Sequence, residues 1–198
     1  MSSDYIICTG KEMIKVKQLI GWKEAYIEAL NTENKDPIEP IKEPSDKWKK
    51  GLLLAEHSPI RVPTYRFFWS EIPYCFAMHL VRHHVGIQPF VGTQRDDRVQ
   101  DDISRDDKSQ TAPVRLSIML NCNSIINISR KRLCSCASTE TKIAWRGALE
   151  ELKKVDPITY SVCVQECIYR GFCPERKCCG YIDTKDFAHK LDQYRTKL

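Results

Sequence analysis

Apolar residues recur at helical spacing in several stretches of this chain, and these stretches alternate with polar, proline-containing ones. Segment 11–30 has apolar residues every three or four positions, which predicts an amphipathic helix. Segment 31–47 carries three prolines among charged residues and predicts an extended surface connection. In segment 51–69 the apolar runs LLLA and YRFFW are separated by one histidine and two prolines, so we expect strands there rather than a helix.

Helical patterns dominate the rest of the chain. Five helices are predicted, over 71–84, 116–136, 138–152, 156–171 and 183–197. Pro73 is tolerated in a first turn, Asp156 is a suitable N-cap before Pro157, and Gly171 is a suitable stop. Asp183 is the expected cap of the last helix. These elements predict one α+β domain over residues 1–198, with a small mixed sheet packed against long helices.

Segment 95–110 interleaves three aspartate pairs with basic residues and has no apolar support. Paired acids can mark a metal site, but this pattern is typical of a solvated loop. No metal ligand is assigned here.

The composition limits the classes of function. Apolar residues make up 42% of the 198 positions and charged residues 29%, which is enough core and surface for one globular domain. Lys and Arg exceed Asp and Glu by 31 to 26, an excess that favours anionic small molecules slightly and is too weak to indicate DNA binding.

No secretory signal or membrane span is expected from the sequence. The longest uncharged apolar run, 116–129, is broken by three asparagines and is shorter than the roughly 20 residues that a span requires. A cytoplasmic protein is predicted, in which the ten cysteines are thiols or metal ligands rather than disulfides.

The cysteines themselves leave three interpretations open. A Cys-rich segment, 163–181, contains five of them, at 163, 167, 173, 178 and 179, and two more stand at 134 and 136. The spacing permits a structural zinc site, buried free thiols or redox chemistry, and does not distinguish them.

A cationic cluster is the first candidate for chemistry. Arg82, His83 and His84 end the predicted helix 71–84, and segment 93–95, which reads Thr-Gln-Arg, follows after a loop with Gly and Pro. Such groups suit an anionic ligand rich in hydrogen-bond acceptors, such as a nucleotide. The alternative is a helix end whose basic residues only complement the dipole.

A second candidate is a stripe on the predicted helix 116–136. Asn121, Ile125, Ile128, Arg132 and Cys136 follow each other at steps of three or four residues. A polar group on an apolar stripe needs a partner inside the fold or on a ligand. Arg132 therefore either forms a buried salt bridge, with Glu140 or an aspartate, or faces a ligand.

The order of these motifs resembles the flavin-dependent thymidylate synthases. Segment 55–95 is similar to the central part of that family, with Glu56–His57, then a strand, then a helix ending in Arg82–His83–His84, and then the loop to Arg95. In the second half, the family pattern of an Asn, an Arg, an Ala and a Glu is matched by Asn121, Asn127, Arg132, Ala137 and Glu140. The ending CIYRGFCPERKCCGY resembles the tail of some members, so the resemblance covers about residues 50–181.

The resemblance implies a homotetramer that binds FAD and dUMP between subunits. It would transfer a one-carbon unit from methylenetetrahydrofolate to carbon 5 of dUMP and give dTMP, with NADPH as the reductant. The flavin pocket would be lined by His57, Arg82, His83, His84, Asn121, Asn127 and Cys136. The nucleotide would be contacted by His79, Thr93, Gln94, Arg95 and Arg132. Among these, Arg132 would polarise the pyrimidine and Arg95 would bind the phosphate.

Two alternatives remain open. The chain departs from the family pattern at His84, Pro89, Phe90 and Thr93 and in the acidic pair after Arg95, which would fit a relative that makes 5-hydroxymethyl-dUMP. A non-catalytic, Cys-rich zinc module that binds nucleic acid is the alternative of another class. The scattered basic residues oppose it, because phosphate tracking requires a basic stripe.

Overall fold

A four-stranded antiparallel sheet is the centre of the computed structural model, which describes residues 13–99 and 103–196. Its strands are β1 (Ile14–Ile20), β2 (Thr64–Pro73), β3 (Ile87–Val91) and β4 (Pro113–Asn121), and their spatial order is β1-β2-β4-β3. Every pair of neighbours is antiparallel, so the predicted mixed sheet is wrong, whereas the α+β class is confirmed.

The two central strands supply the core with alternate residues. Phe67 of β2 lies opposite Ile118 of β4, and both side chains are fully buried. The predicted helix 116–136 is wrong in its first part, because Leu116, Ile118 and Leu120 alternate with partly exposed residues at the period of a strand. Strand β4 lies between β2 and β3, so its backbone N–H and C=O groups form hydrogen bonds with a neighbouring strand on each side.

Eight α-helices surround the sheet in the described ranges. They are α1 (Trp22–Thr32), α2 (Asp46–Ala55), α3 (Tyr74–Val81), α4 (Cys122–Arg132), α5 (Thr139–Val155), α6 (Pro157–Ser161), α7 (Glu166–Arg170) and α8 (Lys185–Thr196). Short 3-10 helices occur at Ser58–Arg61, Arg105–Asp107 and Tyr181–Asp183.

Two helix and strand predictions in the first third of the chain need correction. The predicted helix 11–30 begins as β1, since Ile14 and Val16 alternate with exposed or half-exposed lysines, and only Trp22–Thr32 is helical; residues 11 and 12 lie outside the described ranges. The LLLA run, expected as a strand, belongs to α2, where the Ser45 side chain accepts a hydrogen bond from the backbone N–H of Trp48.

Capping residues were the more reliable signals. Ser138 caps α5, and the Asp156 side chain accepts hydrogen bonds from two backbone N–H groups of α6. The predicted helix 156–171 is split into α6 and α7, and it stops as expected at Gly171, whose φ of +81° favours glycine. The last helix is capped by Thr184 rather than Asp183, because Asp183 ends the preceding 3-10 turn.

Helix α3 is shorter than predicted and begins at Tyr74, with Pro73 still part of β2. The extended connection after α1 and the exposed loop after Arg95 are confirmed where they are described. Residues 100–102, with two of the paired aspartates, and residues 197–198 lie outside the described ranges.

Helix α5 covers one face of the sheet and closes the core. Trp145 stacks on Phe67 with 5.5 Å between ring centroids, and its indole N–H donates to Ser129 of α4 at 3.0 Å. This contact ties α5 to both the sheet and α4. Among the helices of the described ranges, none is both long and apolar enough to cross a membrane.

Candidate functional site

The end of α3 meets the end of α4 through the side chain of Arg132. Its Nε–H donates to Nε2 of His83 at 2.9 Å, and Nη2 donates to the carbonyl oxygen of His79 at 2.6 Å. His79 lies in the last turn of α3, and His83 follows the end of that helix. We call His79, Arg82, His83 and Arg132 the α3–α4 cluster.

His83 is a neutral imidazole in this arrangement. A guanidinium only donates hydrogen bonds, so Nε2 accepts and the ring proton lies on Nδ1. Burial of the ring, with the positive charge of Arg132 beside it, lowers the pKa of His83 to about 4. His83 therefore orients Arg132 without adding charge near pH 7.

His79 joins the cluster to α5. Its Nδ1 shares a hydrogen bond of 2.9 Å with the hydroxyl of Thr141, which is fully buried in the first turn of α5. Burial, together with the charges of Arg132 and Arg82, lowers the pKa of His79. Thr141 was not identified from the sequence as a partner of the site. Its position, three residues after the N-cap Ser138, places it in the first turn of α5.

The two arginines of the cluster have no carboxylate partner among the described residues, although the charge of Glu140 acts on His79. Within residues 13–99 and 103–196, neither Arg82 nor Arg132 forms an ion pair with a carboxylate. Burial and the neighbouring Arg82 lower the pKa of Arg132, which shows that the two guanidinium groups are close enough to repel each other. The predicted salt bridge between Arg132 and Glu140 is not formed, so the interpretation in which Arg132 faces a ligand is the one that the contacts favour.

The loop after the cluster is held by the start of α4. The Ser124 hydroxyl lies 3.0 and 2.9 Å from the carbonyl oxygens of Val85 and Gly86. Gly86 has φ +68°, and a Cβ at this position would lie 2.5 Å from the Ser124 oxygen, so only glycine fits. This contact limits where His84, an exposed residue that bonds the Arg82 carbonyl, can lie.

Asn121 does not lie on one helical stripe with Arg132. It ends β4, and its side-chain oxygen accepts from the Ser124 backbone N–H at 3.0 Å as the N-cap of α4. The stripe prediction failed because it assumed a helix through 116–121. Because the cap uses the side-chain oxygen of Asn121, this residue remains a candidate flavin contact through its side-chain NH2 group.

A second arginine of α4, Arg130, was missed and is a structural residue. Its guanidinium pairs with Glu56, donates to Asn127 at 3.2 Å and lies 3.4 Å from the ring centroid of Tyr169. It is 7% exposed, whereas Asn127 is exposed. The sequence SRKR at 129–132 does not reveal which arginine is buried, because a shift of two residues changes the helix face.

The remaining predicted residues lie outside direct contact with the cluster. His57 is exposed at the start of the 3-10 helix beside Glu56. Arg95 forms a bidentate ion pair with Asp97, and both N–O distances are 2.8 Å. The Thr93 hydroxyl accepts a hydrogen bond from the backbone N–H of Arg95. Gln94 is half-buried. Cys136 is exposed in the loop between α4 and α5 and contacts Cys134 rather than the predicted stripe.

A large cavity lies elsewhere in the molecule. An open cleft of about 740 Å³ lies between α2, α5, α6, α7 and α8, and no predicted site residue lines it. Volume alone does not identify a site, whereas a half-buried guanidinium with no carboxylate partner among the described residues favours an anionic or carbonyl-bearing ligand. We therefore regard the α3–α4 cluster as the candidate site.

Comparison with known proteins supports the architecture. No protein-family model and no curated protein matches the sequence. The flavin-dependent thymidylate synthase ThyX from Helicobacter pylori, complexed with FAD and dUMP, superimposes with a TM-score of 0.63 at 11% identity and covers 77% of this chain and 100% of its own. The UMP/dUMP methylase PolB from Streptomyces cacaoi, bound with 5-Br dUMP, has a TM-score of 0.54 at 12% identity and covers 80% of this chain and 95% of its own. The protein therefore has the fold of the flavin-dependent thymidylate synthases, as the order of its motifs predicted.

Proposed function

We propose that this protein is a flavin-dependent enzyme that transfers a one-carbon unit to carbon 5 of dUMP. Methylenetetrahydrofolate would be the donor, NADPH the reductant and dTMP the product, in the cytoplasm. The observation that carries the proposal is Arg132, which is held by His83 and the His79 carbonyl and has no carboxylate partner among the described residues. The shared fold with proteins that bind FAD and dUMP agrees with it.

The residues present suit a flavin and a nucleotide. Arg82 is exposed at the end of α3 and forms no ion pair within the described ranges, so its fork of donors is available for phosphate oxygens. His57, His84, Asn121, Asn127 and Cys136 remain the further proposed flavin contacts. When bound, FAD would supply the hydride that turns a methylene group into a methyl group.

Arg132 is the proposed catalytic residue. A fixed cation beside a pyrimidine carbonyl stabilises the negative charge that develops on the ring as carbon 5 attacks the electrophile. His83 positions that cation, and His79, whose carbonyl oxygen also accepts from it, would contact the nucleotide. No protein nucleophile is required in this scheme.

Nucleotide phosphate binding by Thr93, Gln94 and Arg95 requires a rearrangement. Arg95 now pairs with Asp97 in an exposed loop, and exposed ion pairs contribute only about 0–1 kcal/mol, so a phosphate can displace the carboxylate. We propose that this exchange accompanies nucleotide binding.

A homotetramer would complete the site. Val85 and Phe90 are 71% and 57% exposed, and both follow the cluster in the α3–β3 segment. Apolar side chains exposed beside a polar site are typical of an interface with another subunit. Light scattering on the purified protein measures the oligomeric state directly.

The deciding experiment is a product analysis by mass spectrometry. Purified protein that absorbs as a flavoprotein and converts dUMP to dTMP only with methylenetetrahydrofolate and NADPH would agree with the proposal. A product heavier than dTMP by one oxygen would identify 5-hydroxymethyl-dUMP as the product instead. Protein that neither binds FAD nor changes dUMP would overturn the proposal.

A further inference from the structure

Cysteine side chains from two distant parts of the chain surround one small cavity. The loop between α4 and α5 contributes two of them, α7 contributes one, and the loop after α7 contributes three. The cavity encloses about 10 Å³, which is roughly the room for a single water-sized particle. We call it the thiol cavity, and its cysteines are Cys134, Cys136, Cys167, Cys173, Cys178 and Cys179.

The thiols that line the cavity influence one another's charge. Cys134 and Cys136 form one interacting pair, and Cys173 and Cys178 form another. Cys179 interacts electrostatically with both Cys136 and Cys173. Cys167 interacts in the same way with Cys134 and Cys173. Residues that are up to 45 positions apart, Cys134 and Cys179, thus share one environment.

Packing explains the buried Cys167 but not the other five cysteines of the cavity. A cysteine that serves as a small core residue is buried, as Cys122 is. By contrast, Cys136, Cys178 and Cys179 are exposed, and Cys134 and Cys173 are only half-buried. Their common feature is the cavity that they line.

Segment 171–180, which carries three of these cysteines, has little regular structure or apolar core to stabilise it. Between Gly171 and Gly180 the chain has no helix or strand. The apolar cluster beside it consists of three buried residues, Cys167, Ile168 and Phe187, with partly buried neighbours. A segment with so small a core requires a crosslink or a metal to stay ordered.

We propose that the thiol cavity is a structural zinc site, in which four of its six cysteines bind one Zn²⁺ as thiolates. Each ligating thiol releases its proton to solvent, the hydrated ion loses its waters, and no electron is transferred. Thiolate ligands in tetrahedral sets select zinc, and a fully thiolate-bound site leaves no open position for catalysis. The nearby carboxylate of Glu175 remains outside the ligand set.

Zinc binding requires modest side-chain rotations. In the described residues no three Cys, His, Asp or Glu side chains already stand at ligand geometry. A change of χ1 between staggered rotamers moves a thiol sulfur by about 3 Å, a distance comparable with the width of so small a cavity.

The site would support the α3–α4 cluster without taking part in it. Cys134 follows Arg132 by two residues, and the backbone carbonyl of Leu133 between them accepts from Gln165 at 3.0 Å. A metal that ties Cys134 to α7 and the following loop would therefore restrain the end of α4. The zinc proposal does not depend on the proposed function.

Metal analysis of the full-length chain tests the proposal. Protein expressed with zinc and purified with a non-thiol reductant should contain one zinc per chain by mass spectrometry of the metal. Substitution by Co²⁺ should produce thiolate-to-cobalt charge-transfer bands and the intense visible absorption of a tetrahedral site. The triple variant Cys134→Ser, Cys173→Ser, Cys178→Ser leaves three of the six cysteines, fewer than the four ligands, and should lose the metal, whereas the control Cys75→Ser, outside the cavity, should keep it.

Two results would overturn the zinc site. One is wild-type protein that holds well under one zinc per chain and shows no charge-transfer band with Co²⁺. The other is an intact mass, without reductant, that is lower by two hydrogens for each pair of these cysteines, which identifies disulfides. Both readouts use the wild-type chain, so a variant that fails to fold does not affect them.

Discussion

Nε of Arg132 donates to Nε2 of His83 across 2.9 Å, although the residues are 49 positions apart in the chain. The bond fixes the direction of the guanidinium and requires a neutral imidazole. It also explains why a charged residue at the end of α4 needs no carboxylate: two of its N–H groups donate to neutral acceptors, and its charge remains available to a ligand.

Arg132→Ala is expected to lower kcat with dUMP by about 100- to 1000-fold, the range seen when one group that stabilises developing charge is removed. The fold should persist, because the side chain is only half-buried and loses two hydrogen bonds worth about 1 kcal/mol each. Kinetics and thermal unfolding measure the two effects, with Arg66→Ala, an exposed arginine of β2, as the control. Unfolding of the variant would show that Arg132 is a structural residue.

Arg82→Ala is expected to weaken FAD binding by about 10- to 100-fold, which corresponds to one charge-assisted hydrogen bond of about 1.5–3 kcal/mol. Because Arg82 is exposed and unpaired within the described ranges, stability should not change. Titration calorimetry with FAD measures the effect. An unchanged affinity would remove Arg82 from the flavin site.

The titration of His83 reports on the arginine beside it. Its pKa of about 4 lies below the ordinary 6.5, so the folded state binds this proton less readily than the unfolded state. The contribution of neutral His83 to stability is present above pH 6.5 and is lost as the pH falls toward 4. Carbon-detected NMR of the ring should show that the pKa rises toward 6.5 in Arg132→Ala; no rise would mean that burial alone lowers it.

Arg130 should behave differently from its neighbours on α4. Arg130→Ala leaves Glu56 without its partner and removes the contact with Tyr169, so a loss of about 3–5 kcal/mol in the free energy of unfolding is expected. The matched control is Lys131→Ala, whose side chain is 55% exposed and whose pair with Glu166 should contribute less than about 1 kcal/mol. Urea denaturation compares them, and equal losses would contradict a structural role for Arg130.

Asp156 links three parts of the core. Its carboxylate accepts from the Trp22 indole and the Thr159 hydroxyl, both at 2.7 Å, and from the Tyr65 hydroxyl. Burial raises its pKa, but the hydrogen bonds from these donors outweigh burial, and the net pKa lies below the ordinary 3.8. The stability that it contributes is therefore present above pH 3.8 and is lost as the pH falls below that value.

Asp156→Asn tests this assignment. The amide cannot accept from all three donors with the same strength, so a loss of about 3 kcal/mol at pH 7 is expected. The difference from wild type should shrink as the pH falls below 4, since wild-type Asp156 then becomes protonated. Urea denaturation across this pH range measures it, and a difference that is constant with pH would contradict the charged state of Asp156.

Local chemistry was readable before any tertiary contact was known. Asp156, expected as an N-cap, accepts from the backbone N–H groups of Ile158 and Thr159, so its capping role depends on neighbours in sequence alone. The amphipathic pattern of α5 and the polar character of the loop after Arg95 were predicted for the same reason. The order of Arg and His motifs also predicted the fold, without any single motif being decisive.

Tertiary contacts decided the rest. Stretches 14–20 and 113–121 are strands because neighbouring strands pair with their backbone; without those neighbours, their apolar residues also fit a helical pattern. One face of α4 packs toward Glu56 and Tyr169, so Arg130 on that face is buried, whereas Arg132 is left available to a ligand. Likewise, only packing brings Cys134 near Cys179. Sequence spacing determines which residues share a helix face, but distances between residues far apart in the chain depend on how the elements pack.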